Sequence, residues 1–168
     1  MSESIQYAIL GQFEAALAML SHCVDACPAE HWEERIANNT FRQVTYHALF
    51  FADYYLSPDE DSFQLRALHQ HGGDERRLEV SAGLSQTETI SYAAECRQKA
   101  IDVLASETQE TLFGRSGFSA RQISRVELHL YNIRHLQHHV GQLSAYLRRT
   151  DPSYAESVAL RWIGSGWQ

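Results

Sequence analysis

At 168 residues, with 44% hydrophobic and 21% charged residues, the chain has the size and composition of one globular domain with a proper core. Its formal net charge of −7 argues against nucleic acid as a partner, because phosphate binding needs concentrated lysine and arginine. No apolar run approaches the length of a membrane helix, and the opening MSESIQYAIL lacks the basic stretch of a secretory signal, so the expectation is a cytoplasmic protein that does not meet a membrane.

The periodicity is helical nearly throughout. Over residues 3 to 26, Ile5, Ile9, Phe13, Leu17, Leu20 and Val24 form one stripe at spacings of three and four, and Pro28 closes this first helix. Cys23 and Cys27 continue the stripe. With Cys96 they make an odd number in a chain without a secretory signal, and they read as free buried thiols. Three capping boxes mark the next helix starts: Thr40 with Gln43, Ser85 with Glu88, and Ser119 with Gln122. They predict helices running to about Leu56, Ser106 and Arg149. Residues 57 to 84 form a connection long enough to cross the length of a bundle, so the second and third helices need not be antiparallel. Asp151–Pro152 can cap a short C-terminal helix to about Ile163, followed by a tail carrying Trp167. The expected fold is all-α: a single four-helix bundle over residues 1–168, with a long connection between helices 2 and 3.

Bundles build metal sites from side chains on facing helices. In NIRHLQHHVGQL, residues 132–143, at about 100° per residue His139 lies only about 40° around the helix from His135, one turn on. His138 lies about 60° to the other side of His135 and can also approach that face, whereas His129, about 120° away, points to an edge or to solvent. An i, i+4 histidine pair grips a divalent metal at a fixed separation, and neutral imidazole accepts Zn²⁺, Ni²⁺ or Fe²⁺ alike. The second helix offers a third ligand. In QVTYHALFFADYYL, His47 falls on the core stripe with Val44, Phe51 and Tyr54, where an unpartnered imidazole is costly. The His69–Gln70–His71 pattern in the long connection reads as a solvated loop. Asp53 falls off the His47 face, Glu14 is the remaining acidic group considered, and no general base or other catalytic residue is assigned.

These residues carry a resemblance. The mid-helix histidine of VTYHALFFADYYL, together with Asn132, His135, His138, His139, Gly141 and Gln142 on the last long helix, resembles the DinB/YfiT-like metalloenzyme family over essentially the whole chain. The asparagine is displaced from the family pattern, and Val140 stands where an arginine is common. The resemblance implies metal ligation by His47, His135 and His139, so His138 is left beside the site. It also implies a homodimer and a small-molecule substrate. Tyr54, His138, Gln142 and Tyr146 are candidates for the pocket or for groups that support the ligands. Characterised relatives include S-transferases and a maleylpyruvate isomerase that depend on a low-molecular-weight thiol such as bacillithiol or mycothiol. The leading expectation is therefore a metal-dependent transferase that activates a small thiol for attack on an electrophile. The rivals are a hydrolase using metal-bound hydroxide, a non-catalytic metal-binding bundle, and a metal-free polar core that responds to pH.

Overall fold

The structure, a computed structural model, describes residues 4–69, 83–151 and 153. Its elements in chain order are α1 (Ile5–Asp25), a two-stranded hairpin of β1 (Arg35–Ile36) and β2 (Asn39–Thr40), α2 (Phe41–Leu56), α3 (Gln86–Ser106), the short α4 (Gln109–Phe113) and α5 (Arg125–Thr150). The fold is all-α apart from the hairpin, whose strands are too short for an alternating pattern to register in the sequence. The hairpin turn places Ala37 at φ 57°, a conformation a non-glycine residue rarely takes.

Capping explains most of the helix boundaries. Thr40 with Gln43 and Ser85 with Glu88 close reciprocal boxes at the starts of α2 and α3. The last long helix differs from expectation. It opens on Ser124 with Glu127, five residues after Ser119. Residues 114–124 instead fold into a loop: Ser116 N donates to Ile123 O (3.0 Å), Ser116 Oγ donates to Arg121 O (2.7 Å), and Gly117 takes φ +82°. The buried stripe of α5 begins only at Val126, and a carboxylate in the first turn complements the helix dipole better than Gln122 would. A further box, Thr108 with Thr111, starts the unanticipated α4.

The four long helices pack in a ring, α1 against α3 and α5, and α2 against α3 and α5. Side-chain contacts give their directions. Gln6 reaches Glu107 while Gln86 reaches Val24, so α1 and α3 are antiparallel. Tyr46 faces Tyr92 and Asp53 meets Lys99, so α2 and α3 are parallel, as the long connection allows. His47 meets His135 and Asn132 meets Ala52, so α5 runs antiparallel to α2. Helix α1 is long and apolar enough to cross a membrane by length and composition, contrary to the hydropathy reading of the sequence. Its apolar face, with Phe13, Leu17 and Leu20 fully buried, is part of the bundle core.

Two buried ionic networks hold the C-terminal part of α2. Asp53 accepts from Lys99 Nζ (2.6 Å), Arg66 Nη2 (2.7 Å) and Tyr92 Oη (3.0 Å). Burial alone pushes its carboxyl pKa up, but Lys99 and Arg66 outweigh this and hold it below the usual range. His69 packs beside this network, 2% exposed, with Nδ1 2.8 Å from Tyr46 Oη, so it is a core residue and not a solvated loop histidine. At the C-terminus of α2, Arg125 donates to the carbonyls of Tyr55 (3.1 Å), Leu56 (3.2 Å) and Ser57 (2.8 Å), satisfying acceptors the helix leaves open. Glu107 accepts from Arg125 Nε (2.7 Å) and meets His129 Nε2 (2.8 Å). His129 is fully buried against Glu107 and does not point to solvent.

Cys23, Cys27 and Cys96 are free and buried as expected, and burial pushes the thiols of Cys23 and Cys27 up to about 12. The expected C-terminal helix, Trp162, Trp167 and His71 lie outside the described residues.

A candidate three-histidine metal centre

Helix α2 supplies His47 and α5 supplies His135 and His139, and the antiparallel contact of these two helices brings the three rings together. His135 Nε2 lies 3.2 Å from His47 Nε2 and 3.1 Å from His139 Nε2. One nitrogen from each of the three falls within 4.8 Å of the others, and among the described residues no further His, Cys, Asp or Glu joins the group. All three residues are half-buried.

The proton accounting of this cluster favours a cation. His139 Nδ1 lies 2.8 Å from Gln142 Oε1, an acceptor, so its proton sits on Nδ1 and its Nε2 presents a lone pair to the cluster. If His135 carries its proton on Nε2, that proton can satisfy only one of its two close neighbours. If the proton is on Nδ1, which is buried without a partner among the described residues, two bare nitrogens face each other at 3.1 Å. Either way one contact lacks a good hydrogen bond, and a shared cation would remove the conflict. The spacing fits: Zn–N bonds of about 2.0–2.1 Å in a tetrahedral site set nitrogens roughly 3.3 Å apart.

Protonation state points the same way. Burial, reinforced by the neighbouring His139 and His47, drives the His135 imidazole down to about 3. Burial also lowers His139, outweighing the opposing pull of Gln142. Neutral imidazole is the ligating form. Phe51 stands edge-on to His47 (4.9 Å between centroids) and His135 (5.3 Å), and the Tyr131 ring stacks on His135 (6.3 Å, 19°). These aromatic walls limit water on one side of the cluster.

The other sequence candidates divide. Gln142 holds His139, as just described. His138 is exposed, its ring 5.0 Å from that of His139, and its nitrogens stay outside the group. Tyr54 stacks on Phe50 and meets Phe63 and Phe118, in an aromatic cluster beyond Phe51. Tyr146 is buried, with its hydroxyl 2.9 Å from His31 Nδ1, away from the triad. Glu14 is engaged by Arg97 (2.6 Å) and Asp53 by its own network, so neither serves the cluster. Phe51 and Tyr131 were missed as site walls, although each lies four residues from a triad histidine on the same helix. Val140, at the position of the family's arginine, is buried in the core and leaves the three imidazoles undisturbed.

The sequence pattern of a known family, the DinB superfamily, matches residues 12–143, a span that includes all three histidines. Comparison with curated proteins and with solved structures finds no match.

Proposed function

The chain belongs to the DinB superfamily, and from that membership and its three converging imidazoles we propose a metal-dependent transferase that activates a small thiol for attack on an electrophile. The observation that carries the reading is the ligand set: three imidazole nitrogens from two helices, with no fourth ligand among the described residues. A closed structural site has four protein ligands, whereas three leave a position for a reactant.

His47, His135 and His139 would hold the metal through Nε2. A divalent cation bound there supplies Lewis acidity and lowers the pKa of a coordinated thiol into the neutral range. The protein's own groups hold the ligands still: Gln142 fixes the tautomer and ring angle of His139, and Phe51 and Tyr131 confine His47 and His135. In the reaction, sulfur gives the electron pair of the new C–S bond, the thiol proton leaves to solvent, and any leaving group departs with its own pair. Catalysis takes place in the cytoplasm in this reading, and a homodimer is its working form.

The test is turnover by metal-loaded, full-length protein with a panel of electrophiles, with and without thiol. Product formation that requires both thiol and metal is the expected result. Consumption of an electrophile without thiol would make the protein a hydrolase. Stoichiometric metal with no turnover of any kind would leave a cation that only staples α2 to α5.

A further inference from the structure

Arg121 sits half-buried in the loop before α5, and among the described residues its hydrogen bonds go to neutral oxygens. Its Nη2 donates to the hydroxyls of Tyr131 (3.2 Å) and Tyr55 (3.4 Å), and its Nη1 donates to Ala120 O (3.2 Å). Its Nε is buried with no hydrogen-bond partner among the described residues. The contrast with its peers is sharp. Arg42, Arg97 and Arg125 are the other guanidiniums at least partly buried among the described residues, and each meets a carboxylate at 2.6 or 2.7 Å. The Nε of this half-buried guanidinium is shielded from water without a partner, and the planar fork of donors that faces the phenols matches a carboxylate two bonds at a time.

Its position gives that charge a use. Arg121 lines an open cleft of about 680 Å³ between Glu60–Asp61 and the 113–124 loop. The guanidinium lies 5.0 Å from the centroid of Tyr131, whose ring stacks on His135. The cation is thus two ring contacts from the triad, although none of the three imidazoles lines the cleft itself. The carboxylates on the cleft wall do not neutralise it. Glu60 accepts from Ser119 N (3.3 Å), Glu127 is held by Ser124 (2.6 Å to Oγ), and Asp61 is exposed and outside ion-pair distance of Arg121.

We propose that Arg121 is an anion-binding, substrate-positioning residue: it takes a carboxylate of one of the two reactants, held in this cleft with its reactive end toward the three histidines. The inference rests on the transferase reading for which molecule carries the carboxylate. The binding itself can be tested without turnover.

The experiment titrates full-length protein with four probes and follows the arginine Nε–H signals by ¹H–¹⁵N NMR. The probes are 4-chloro-3-nitrobenzoate, its uncharged benzamide counterpart, N-acetylcysteine, and N-acetylcysteine amide. The Arg121 signal is identified by its loss in Arg121→Lys and Arg121→Met, and metal content is measured on every sample. The proposal expects saturable movement of the Arg121 signal with a carboxylate probe and none with its amide. Affinity for that probe should fall roughly 10- to 100-fold in both variants, the range for a charge-assisted hydrogen-bonded pair, with metal content unchanged. Response to the benzoate places the carboxylate on the electrophile, and response to N-acetylcysteine places it on the thiol. Where turnover is found, KM for that reactant rises by a similar factor while kcat moves by less than about threefold. Equal response to acids and amides, or unchanged affinity in both variants, overturns the proposal. Because the binding measurement needs no catalysis, a protein that binds carboxylate at Arg121 but conjugates no thiol would refute the transferase reading alone.

Discussion

The hydrogen bond between His139 Nδ1 and Gln142 Oε1 decides which nitrogen of His139 faces the cluster. Replacing such a supporting partner usually costs 10- to 100-fold in metal affinity. Gln142→Ala is therefore expected to weaken binding by about that factor, measured by competition with a chromophoric chelator, while still reaching full stoichiometry at saturation. His138→Ala is expected to change affinity little, because that exposed ring contributes no nitrogen to the group. At this scale much of the site was legible. Helical angles placed His135 and His139 on one face, the family resemblance and not the angles set His138 aside, and the apolar stripe of α2 singled out His47. Angles give direction around a helix and not distance along it. Tyr54 and Tyr146 each lie seven residues beyond a triad histidine, about 10 Å along the axis, and so share its stripe without reaching its contacts. Arg121 lies in a loop, where no period exists to expose it.

Among the elements, the start of α5 and the end of α2 are where local signals and tertiary structure meet. Ser124 and not Ser119 caps α5, so Ser124→Ala should cost about 1 kcal/mol in urea denaturation, whereas Ser119→Ala should cost far less. Equal costs would contradict the observed boundary. Two Ser-x-x-Gln/Glu patterns five residues apart could not be ranked from sequence alone. The choice depends on Gly117 turning at positive φ, with Pro58 O so close that a Cβ there would approach to 2.5 Å. Arg125 is the stronger structural lever. Arg125→Met removes a buried cation from three carbonyls of α2 and from Glu107 and leaves that acid without its closest guanidinium. A loss of about 3–5 kcal/mol is expected by chemical denaturation. No periodicity announces such a role: Arg125 reads as an ordinary first-turn residue until α2 is placed beside it.

For the whole molecule, the up-down-down-up order of the four long helices sets α2 against α5 and thereby assembles the site. The length of the 57–84 connection left room for the parallel α2–α3 pair without requiring it, and the burial of His69 and His129 was not legible, since both depend on which acids and phenols the assembled bundle brings near them. That burial has a pH consequence. Burial drives His69 down to about 4, so the unfolded chain takes up its proton from about pH 6.5 downward while the folded chain does not until about pH 4. Stability present above pH 6.5 should fall through that window, with Asp53 and Glu107, whose carboxyls are held low in the fold, adding losses at lower pH. Urea denaturation between pH 7 and 4 checks this, and His69→Phe should make the profile shallower above pH 4, the remaining slope coming from His135 and His139, whose imidazoles burial also holds low. A wild-type profile that is already flat would contradict it. The central claim is that His47, His135 and His139 hold one divalent cation together. Elemental analysis of purified full-length protein, beside His47→Ala, His135→Ala and His139→Ala variants that remain folded, tests this most directly. The account predicts close to one equivalent in the wild type and a trace in each variant. Metal-free wild type after exposure to Zn²⁺, Ni²⁺ and Fe²⁺, or full occupancy in any one variant, would contradict it.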